Sequence, residues 1–285
     1  MNFDPQAALN VVTPLLYAFG VGAIVLESIY IVWNQIRRDR RSRWLSVKCG
    51  ILAFGAEGLL QTTALFAIHM WVYQYRVFDL GFVWWAWLLT FLVNDLMFYV
   101  SHRAQHENRL LWAIHVVHHS PRHYDLTTGI RGSALGTLAG FPFVVWIPLL
   151  GIHPLMYLLA DKLFKFYGLA YHTEAVHKLG WMDSILVTPA NHRVHHATNP
   201  QYIDRNYGGF FILFDRCLGT FEPEVETPEY GLVKDWHGYG LVDCQTHELR
   251  DLWRDVCSAS NWGDSWRYLY KAPGWKPSGS PSPVA

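Results

Sequence analysis

The sequence predicts an all-α fold: a multi-pass membrane helical bundle of three spans plus a helical hairpin, with a cytoplasmic helical cap. Its apolar runs are long enough to cross a bilayer, and its charged content of 16% is below the roughly 25% usual for soluble domains. It also has 14 tryptophans, a residue type enriched where membranes meet water. Lys plus Arg and Asp plus Glu both number 23, so no overall charge favours nucleic acid as a partner.

The first predicted span covers residues 11–33, and a bilayer crossing needs roughly 20 apolar residues. The basic run RRDRRSR, Arg37 to Arg43, follows almost at once. Because Lys and Arg concentrate in cytoplasmic loops, we expect this loop to be cytoplasmic and the N-terminus to lie outside. A solvated loop of a soluble protein is the alternative. The start MNFDPQAALN lacks the basic region of a secretory signal, so the first span is expected to be retained.

Two further spans and a hairpin are predicted downstream. Residues 48–73 form a second span interrupted by three polar side chains, and residues 80–100 form a third. Residues 134–171 are apolar but broken by proline and glycine, and they are too long for one crossing. We expect them to form a helical hairpin that returns to the side it left.

The rest of the chain, residues 172–285, contains no run long enough to cross a bilayer. We expect a single integral-membrane domain over residues 1–270, with its distinctive motifs between residues 95 and 210. A disordered tail rich in Pro, Gly and Ser is expected over residues 271–285. Counting crossings returns the chain to the cytoplasmic side after the third span, where the cap should lie.

The cap contains clusters of histidines with helical spacing. The candidate metal ligands are, in chain order, His102, His106, His115, His118, His119, His172, His177, His192, His195 and His196. Residues four apart lie on one face of a helix, so each pair with that spacing can point at a common ion. With 15 histidines in the chain, two HxxHH clusters arise by chance in about one such chain in a thousand.

The number of imidazoles predicts two metal ions. Structural zinc is closed by four ligands and catalytic zinc by about three, and eight or more imidazoles exceed what one such ion takes. Imidazole suits iron, copper and zinc, and no cluster of cysteines competes, so the residues permit iron without selecting it. The predicted cap therefore carries a histidine-rich dimetal site.

Two carboxylates are catalytic candidates beside these histidines. Asp95 lies two helical turns before His102, about 10 Å along the axis, so it would support a ligand from another helix. An Asp among lipid headgroups is its alternative. Glu107 directly follows His106 and is a candidate for orienting a ligand or a reaction intermediate, with a solvated helix face as its alternative. His123 follows Pro121, which breaks the helical register, so it is left out of the ligand set.

Arginines near the histidines have two open roles. Arg131 and Arg205 would either neutralise a lipid headgroup or pair with nearby carboxylates such as Asp125 and Asp204, and the second role is favoured.

The histidine boxes resemble the fatty acid hydroxylase and sterol desaturase superfamily of integral-membrane di-iron oxygenases. The resemblance covers roughly residues 80–235. The motifs SHRAQHE, HVVHHSPRHYDLTTGIR, HTE and NHRVHHATNPQYIDRNYGGFFILFDRCLGTFEPE are similar to the alkylglycerol monooxygenase branch and its bacterial relatives. The resemblance implies that the histidines of the three boxes bind two iron ions. It also places Glu107 at an acidic position of the first box and His172 at the HTE histidine. His177 matches a second histidine found in some acyl hydroxylases.

The resemblance implies a lipid hydroxylase that uses O2, acting on an ether lipid, a sterol or a fatty acyl chain. A sterol or fatty acyl desaturase of the same superfamily is the alternative, and a membrane protein that binds or transports metal without redox chemistry is a remote one. Tetrahydrobiopterin supplies electrons in the branch, and an electron-transfer protein is the other candidate donor. No dinucleotide-binding fingerprint is visible, so the reductant is expected to be external. We expect a bacterial cytoplasmic membrane, or the endoplasmic reticulum in a eukaryote, with the catalytic side cytoplasmic.

Overall fold

A computed structural model describes residues 4–277, and helices provide its regular structure. Within this range the strand-like pairing consists of two isolated antiparallel bridges, Leu186 with Phe211 and Ala197 with Tyr230. The prediction of an all-α fold is confirmed. The described helices are α1 (Pro5–Trp33), α2 (Arg40–Leu60), α3 (Phe66–Tyr73), α4 (Trp84–Glu107), α5 (Arg109–His119), α6 (Leu126–Gly129), α7 (Gly136–Val144), α8 (Pro154–Ala170), α9 (Pro189–His195), α10 (Leu213–Leu218), α11 (Leu241–Ser258) and α12 (Trp262–Tyr270).

Two helical stretches are long and apolar enough to cross a membrane, Pro5–Trp33 and Arg40–Tyr73. The second is continuous because a π-helical turn, Gln61–Leu65, joins α2 to α3. Only 11% of the most apolar part of each stretch is buried inside the protein, whereas the core helix of a soluble protein would be mostly covered. Their apolar side chains therefore face outward, as helices in contact with lipid require.

The basic run is only partly a loop. Asp39 accepts hydrogen bonds from the backbone N–H groups of Arg41 and Ser42, so α2 begins at Arg40. An acidic side chain at this position satisfies amides that the first helical turn leaves without partners. The connection between the two long helices is accordingly shorter than the sequence predicts.

The third predicted span corresponds to α4, which continues past residue 100 to Glu107. The predicted hairpin corresponds to α7, a short 3₁₀ turn over Ile147–Leu150, and α8. The helix α8 packs against both α1 and α4. A third crossing and a hairpin within the bilayer remain predictions.

The cap is built from α5, α11 and α12, which pack around Ala113, Leu252 and Tyr268. Part of the predicted tail belongs to this packing. The Arg109 backbone N–H donates to the Lys271 carbonyl at 3.0 Å, and the Trp275 ring lies 5.2 Å from that of Tyr268. Residues 271–277 are therefore held against the cap, and residues 278–285 lie outside the described range.

Candidate dimetal site

Nine of the ten predicted ligands converge in two adjacent groups. Within each group, the candidate ligand atoms all lie within 4.8 Å of one another. The first histidine group consists of His102, His106, His115, His119 and His195. The second histidine group consists of His118, His172, His192 and His196. The two groups touch, because the rings of His119 and His196 stack with centroids 4.3 Å apart.

Helical spacing explains how the residues divide. In α5, His115 and His119 are four residues apart and join the first histidine group, whereas His118 points into the second. In the other HxxHH motif, only His195 joins the first histidine group, whereas His192 and His196 join the second. Residues four apart share a helix face and their sequence neighbours lie on another, so each HxxHH motif serves both groups.

Backbone carbonyls orient four of the rings. Each accepts a hydrogen bond from Nδ1, which leaves Nε2 free to bind an ion. The pairs are His102 with Tyr207 at 2.9 Å, His118 with Arg131 at 3.2 Å, His172 with Gly168 at 2.6 Å and His195 with Arg205 at 2.9 Å. A carboxylate approaches a fifth ring, because Oδ1 of Asp204 lies 3.4 Å from Nδ1 of His106.

The spacing of the nitrogens fits metal coordination with open positions. Within the groups, neighbouring Nε2 atoms of bonded ring pairs lie 3.0–3.2 Å apart. At a metal–imidazole distance of about 2.1 Å, such pairs would subtend roughly 90–100° at a bound ion, less than the roughly 109° of a closed tetrahedral site. Near right angles are typical of five- or six-coordinate ions, which leave room for further ligands.

Burial keeps these imidazoles neutral. Desolvation lowers the pKa of all nine histidines, and that of His118 falls to about 4. A neutral ring is the form that binds a metal ion. Moreover, Nε2 of His106 and of His195 are buried without a hydrogen-bond partner in the described structure. Buried polar atoms are rarely left unsatisfied, so the residues fit a pair of bound ions.

The tenth predicted ligand, His177, is exposed and belongs to neither group. It lies in the loop between α8 and the 3₁₀ turn Gly180–Ser184.

Asp95 is buried in α4 and acts through the backbone of a neighbouring segment. Its two carboxylate oxygens accept from the N–H groups of Phe210 and Phe211 at 2.9 and 3.1 Å. The same segment includes Tyr207, whose carbonyl holds the His102 ring. Asp95 is thus linked to a candidate ligand through four residues of main chain rather than by direct contact.

Glu107 lies at the surface and pairs with a side chain of its own helix. Its side chain is 52% exposed and accepts from Nε of Arg103 at 2.7 Å, one helical turn earlier. This arrangement corresponds to the solvated helix face that was the alternative for this residue.

Several residues beside the site have no signal in the histidine spacing. Tyr207 is buried with its hydroxyl unpartnered in the described structure, and its ring lies 5.3 Å from that of His106. Asp215 accepts from the N–H groups of Tyr207 and Gly208 at 2.7 and 2.8 Å. A Cβ at Gly129 would lie 3.0 Å from the His172 ring, so a side chain here would press against that ring. Tyr207 and Asp215 lie within the long motif that begins at NHRVHH, but only the fold shows their contacts.

The favoured role of the two arginines is wrong. Arg131 donates to Ser42 Oγ and Cys244 Sγ, and Arg205 donates to the Gly219 carbonyl. Asp125 is instead close to Nε of Arg43, at 3.1 Å. The basic run thus takes the carboxylate that the sequence assigned to Arg131.

Comparisons with known proteins agree with this site. The fatty acid hydroxylase family model matches residues 87–220, which include all nine grouped histidines. Human alkylglycerol monooxygenase is 36% identical over 214 residues, 74% of this chain and 47% of that protein. The ornithine lipid hydroxylase OlsE of Rhizobium tropici is 30% identical over 150 residues, covering 51% of this chain and 45% of that protein.

A more distant relative is human lathosterol oxidase, 25% identical over 219 residues, 73% of this chain and 68% of that protein. The chain spans about half the length of the alkylglycerol monooxygenase and ornithine lipid hydroxylase that it matches. No solved structure matches it. The buried histidine groups, the matching family model and these relatives agree, and the chain is similar to members of the hydroxylase/sterol desaturase superfamily.

Proposed function

We propose that the chain is a membrane-bound di-iron oxygenase that hydroxylates an unactivated carbon of a lipid with O2. The observation that carries the proposal is the pair of touching, buried imidazole groups within a fatty acid hydroxylase domain. Names of the relatives favour lipid hydroxylation, with an ether lipid as the first substrate class to test. A sterol or a fatty acyl chain is the next.

Iron is the metal that suits both the residues and this reaction. The ligands are all imidazoles, no thiolate lies among them, and their angles leave coordination positions open. When bound, two iron ions supply the activation of O2 and the hydrogen abstraction that acids and bases of the protein cannot perform on such a carbon.

The ligand set consists of the nine grouped histidines, one ion for each group. Backbone carbonyls fix the ring orientations, and burial excludes water from the imidazoles. Asp95 is a positioning residue. It accepts hydrogen bonds from the backbone of the segment whose Tyr207 carbonyl orients the His102 ring. His177 is exposed and is omitted from this set, and Glu107 is retained only as a candidate for contact with substrate or reductant.

An aromatic cluster between α4, α8 and the segment after Tyr207 suits the approach of an acyl chain. The Phe98 ring lies 5.1 Å from that of His102 and 5.0 Å from that of Phe164. Further along α4, Phe91 and Phe210 meet edge to face at 4.7 Å. The cluster thus leads from the apolar part of α4 to the first histidine group, and it provides the dry environment that the reaction needs.

The proposed topology has three spans and a helical hairpin, with residues 1–270 as one catalytic domain. The catalytic side is cytoplasmic, in a bacterial cytoplasmic membrane or in the endoplasmic reticulum. Two contacts support a common side for the basic run and the histidines. Nε of Arg43 lies 3.1 Å from Asp125, and Arg38 pairs with Glu174, two residues after His172. Because basic loops are cytoplasmic, the site should be cytoplasmic too.

The reductant is an external one, tetrahydrobiopterin or an electron-transfer protein. Desaturation is the second candidate reaction, favoured by the likeness to lathosterol oxidase. Transport of metal predicts histidines along a path through the middle of the bilayer, whereas these histidines lie at the end of α4 and beyond it.

The test is a reaction of the iron-loaded full chain with a 1-O-alkylglycerol, a chemical reductant, tetrahydrobiopterin and isotopically labelled O2. Hydroxylation gives a product that contains one labelled oxygen atom, and desaturation gives a product that lacks two hydrogen atoms. A matched reaction with His195→Ala should consume no O2 beyond the background. If neither ether lipids nor sterols nor fatty acyl lipids react with the iron-loaded wild type, the proposed activity is wrong.

A further inference from the structure

A polar cavity lies outside the histidine groups, where the basic run meets the loop before α11. Its volume is about 170 Å³, much more than one water molecule requires. The side chains that line it include Arg37, Arg38, Arg122, His123, Arg131 and Trp236. None of these residues belongs to either histidine group.

At the base of this cavity is a buried arginine without a carboxylate partner. Arg131 is 1% exposed, and no carboxylate lies within ion-pair distance of it in the described part of the chain. Its hydrogen bonds reach Ser42 Oγ at 3.1 Å and Cys244 Sγ at 3.4 Å, and its Nε has no acceptor. A buried charge is costly unless an opposite charge compensates it. An anionic ligand would compensate the charge of Arg131.

Other cavity groups add unused donors. Arg37 is exposed at the rim and has no ion-pair partner among residues 4–277, whereas Arg38 and Arg122 pair with carboxylates outside the lining. His123 is buried, and its Nε2 makes no hydrogen bond but lies 3.7 Å from Oδ2 of Asp125, so it is not counted among the unpaired groups. The lining contains one carboxylate, Asp39, which caps α2 and accepts from the Tyr239 hydroxyl. It is thus not available to either unpaired arginine.

The thiol of Cys244 is an internal alternative to an anionic ligand. A hydrogen bond from Cys49 and the charge of Arg131 lower the pKa of Cys244 to about 6. A thiolate there would neutralise Arg131. It would leave Arg37 without an ion-pair partner among residues 4–277, and it would not fill the cavity.

We propose that this cavity binds a phosphate group, carried either by a lipid headgroup or by a soluble phosphate ester. Guanidinium groups match the oxygens of phosphate in a bidentate arrangement, and the buried Arg131 and the exposed Arg37 both line the cavity. Trp236 supplies an apolar wall for the carbon atoms attached to the phosphate. The site adjoins the second histidine group, because the Arg131 carbonyl accepts from His118.

Binding can be measured without turnover, so its outcome is separate from that of the proposed function. Full-length protein in uncharged detergent is titrated with inorganic phosphate and with glycerol 3-phosphate by calorimetry, at constant ionic strength. In a parallel arm, native mass spectrometry measures retention of phosphatidylglycerol against an uncharged diacylglycerol. Arg37→Gln removes a cavity charge. Arg40→Gln is the matched control, an exposed arginine of the same basic run that does not line the cavity.

We expect saturable binding of the soluble phosphates or selective retention of phosphatidylglycerol. The arm that responds identifies the source of the phosphate group. Arg37→Gln should weaken that binding about tenfold, the loss of one charge-assisted contact, while Arg40→Gln leaves it unchanged. Arg131→Lys should weaken phosphate binding further. If Arg131→Lys does not fold because this position is buried, Arg37→Gln alone still tests the proposal. Absence of binding in both arms, or equal weakening by Arg37→Gln and Arg40→Gln, overturns the proposal.

Discussion

The carbonyl oxygen of Tyr207 accepts a hydrogen bond from Nδ1 of His102 at 2.9 Å, so a segment distant in sequence fixes the ring of a candidate ligand. Asp95 and Asp215 hold the same segment through backbone N–H groups. The orientation of this candidate metal ligand therefore depends on a main-chain segment that two carboxylates keep in place. Support of this kind usually changes metal affinity by roughly 10- to 100-fold when it is removed.

Replacing Asp95 should therefore weaken the first histidine group without removing a ligand. Asp95→Asn presents an amide to two N–H donors and loses the charge that strengthens those hydrogen bonds. We expect the affinity for iron to fall about tenfold, measured by competition with a chelator. Asp79→Asn, at an exposed site outside the cluster, is the control. Equal affinity in Asp95→Asn and the wild type would show that the backbone segment holds His102 without help.

Replacing Gly129 should disturb the second histidine group. A Cβ at this position would lie 3.0 Å from Cγ and Nδ1 of His172, so Gly129→Ala must displace the ring or the backbone. We expect a loss of about one iron ion per chain, or an affinity at least about tenfold weaker. Gly140→Ala is a matched control, because its Cβ meets nothing within 4 Å and the helix should gain about 0.5–1 kcal/mol. Full iron content in Gly129→Ala would contradict the close approach.

His177 and Glu107 should be dispensable for metal binding. His177 is exposed, and Glu107 pairs with Arg103 at the surface, an interaction that contributes about 0.3–0.5 kcal/mol at most. We expect His177→Ala and Glu107→Gln to retain the iron content and the melting temperature of the wild type. A lower turnover of Glu107→Gln with unchanged iron would assign it contact with substrate or reductant. Loss of an iron ion in His177→Ala would return that residue to the ligand set.

Removal of metal should destabilise the cap. Without ions, the buried Nε2 atoms of His106 and His195 have no partner in the described structure. A ligand that binds only the native state raises the free energy of unfolding by about 4 kcal/mol when its concentration is a thousand times Kd. We expect a membrane-permeable chelator to lower the thermal unfolding temperature and ferrous iron to restore it. The unfolding temperature of the His115→Ala variant should fall less on chelation, because its first histidine group already lacks a candidate ligand. An unfolding temperature that does not respond to chelation would argue that the imidazoles are satisfied without metal.

The sequence predicts the helical class and all nine grouped histidines, because helical periodicity and the density of histidines are local properties. It does not predict how each HxxHH motif divides between two groups, since that requires the relative positions of α4, α5 and α9. His177 fits the sequence pattern yet lies in an exposed loop. Arg131 was expected to pair with Asp125, but Arg43 from the basic run takes that place. Such pairings depend on contacts between distant segments, which spacing does not encode.

The most direct test of the central claim is the iron content of the full chain after anaerobic loading with excess ferrous iron and removal of unbound metal. With one ion in each histidine group, the wild type should retain about two iron ions per chain. His115→Ala and His192→Ala should each retain about one, because they remove ligands from different groups. A wild type that retains one ion or none, or variants that retain as much as the wild type, would contradict a di-iron site built from these nine histidines.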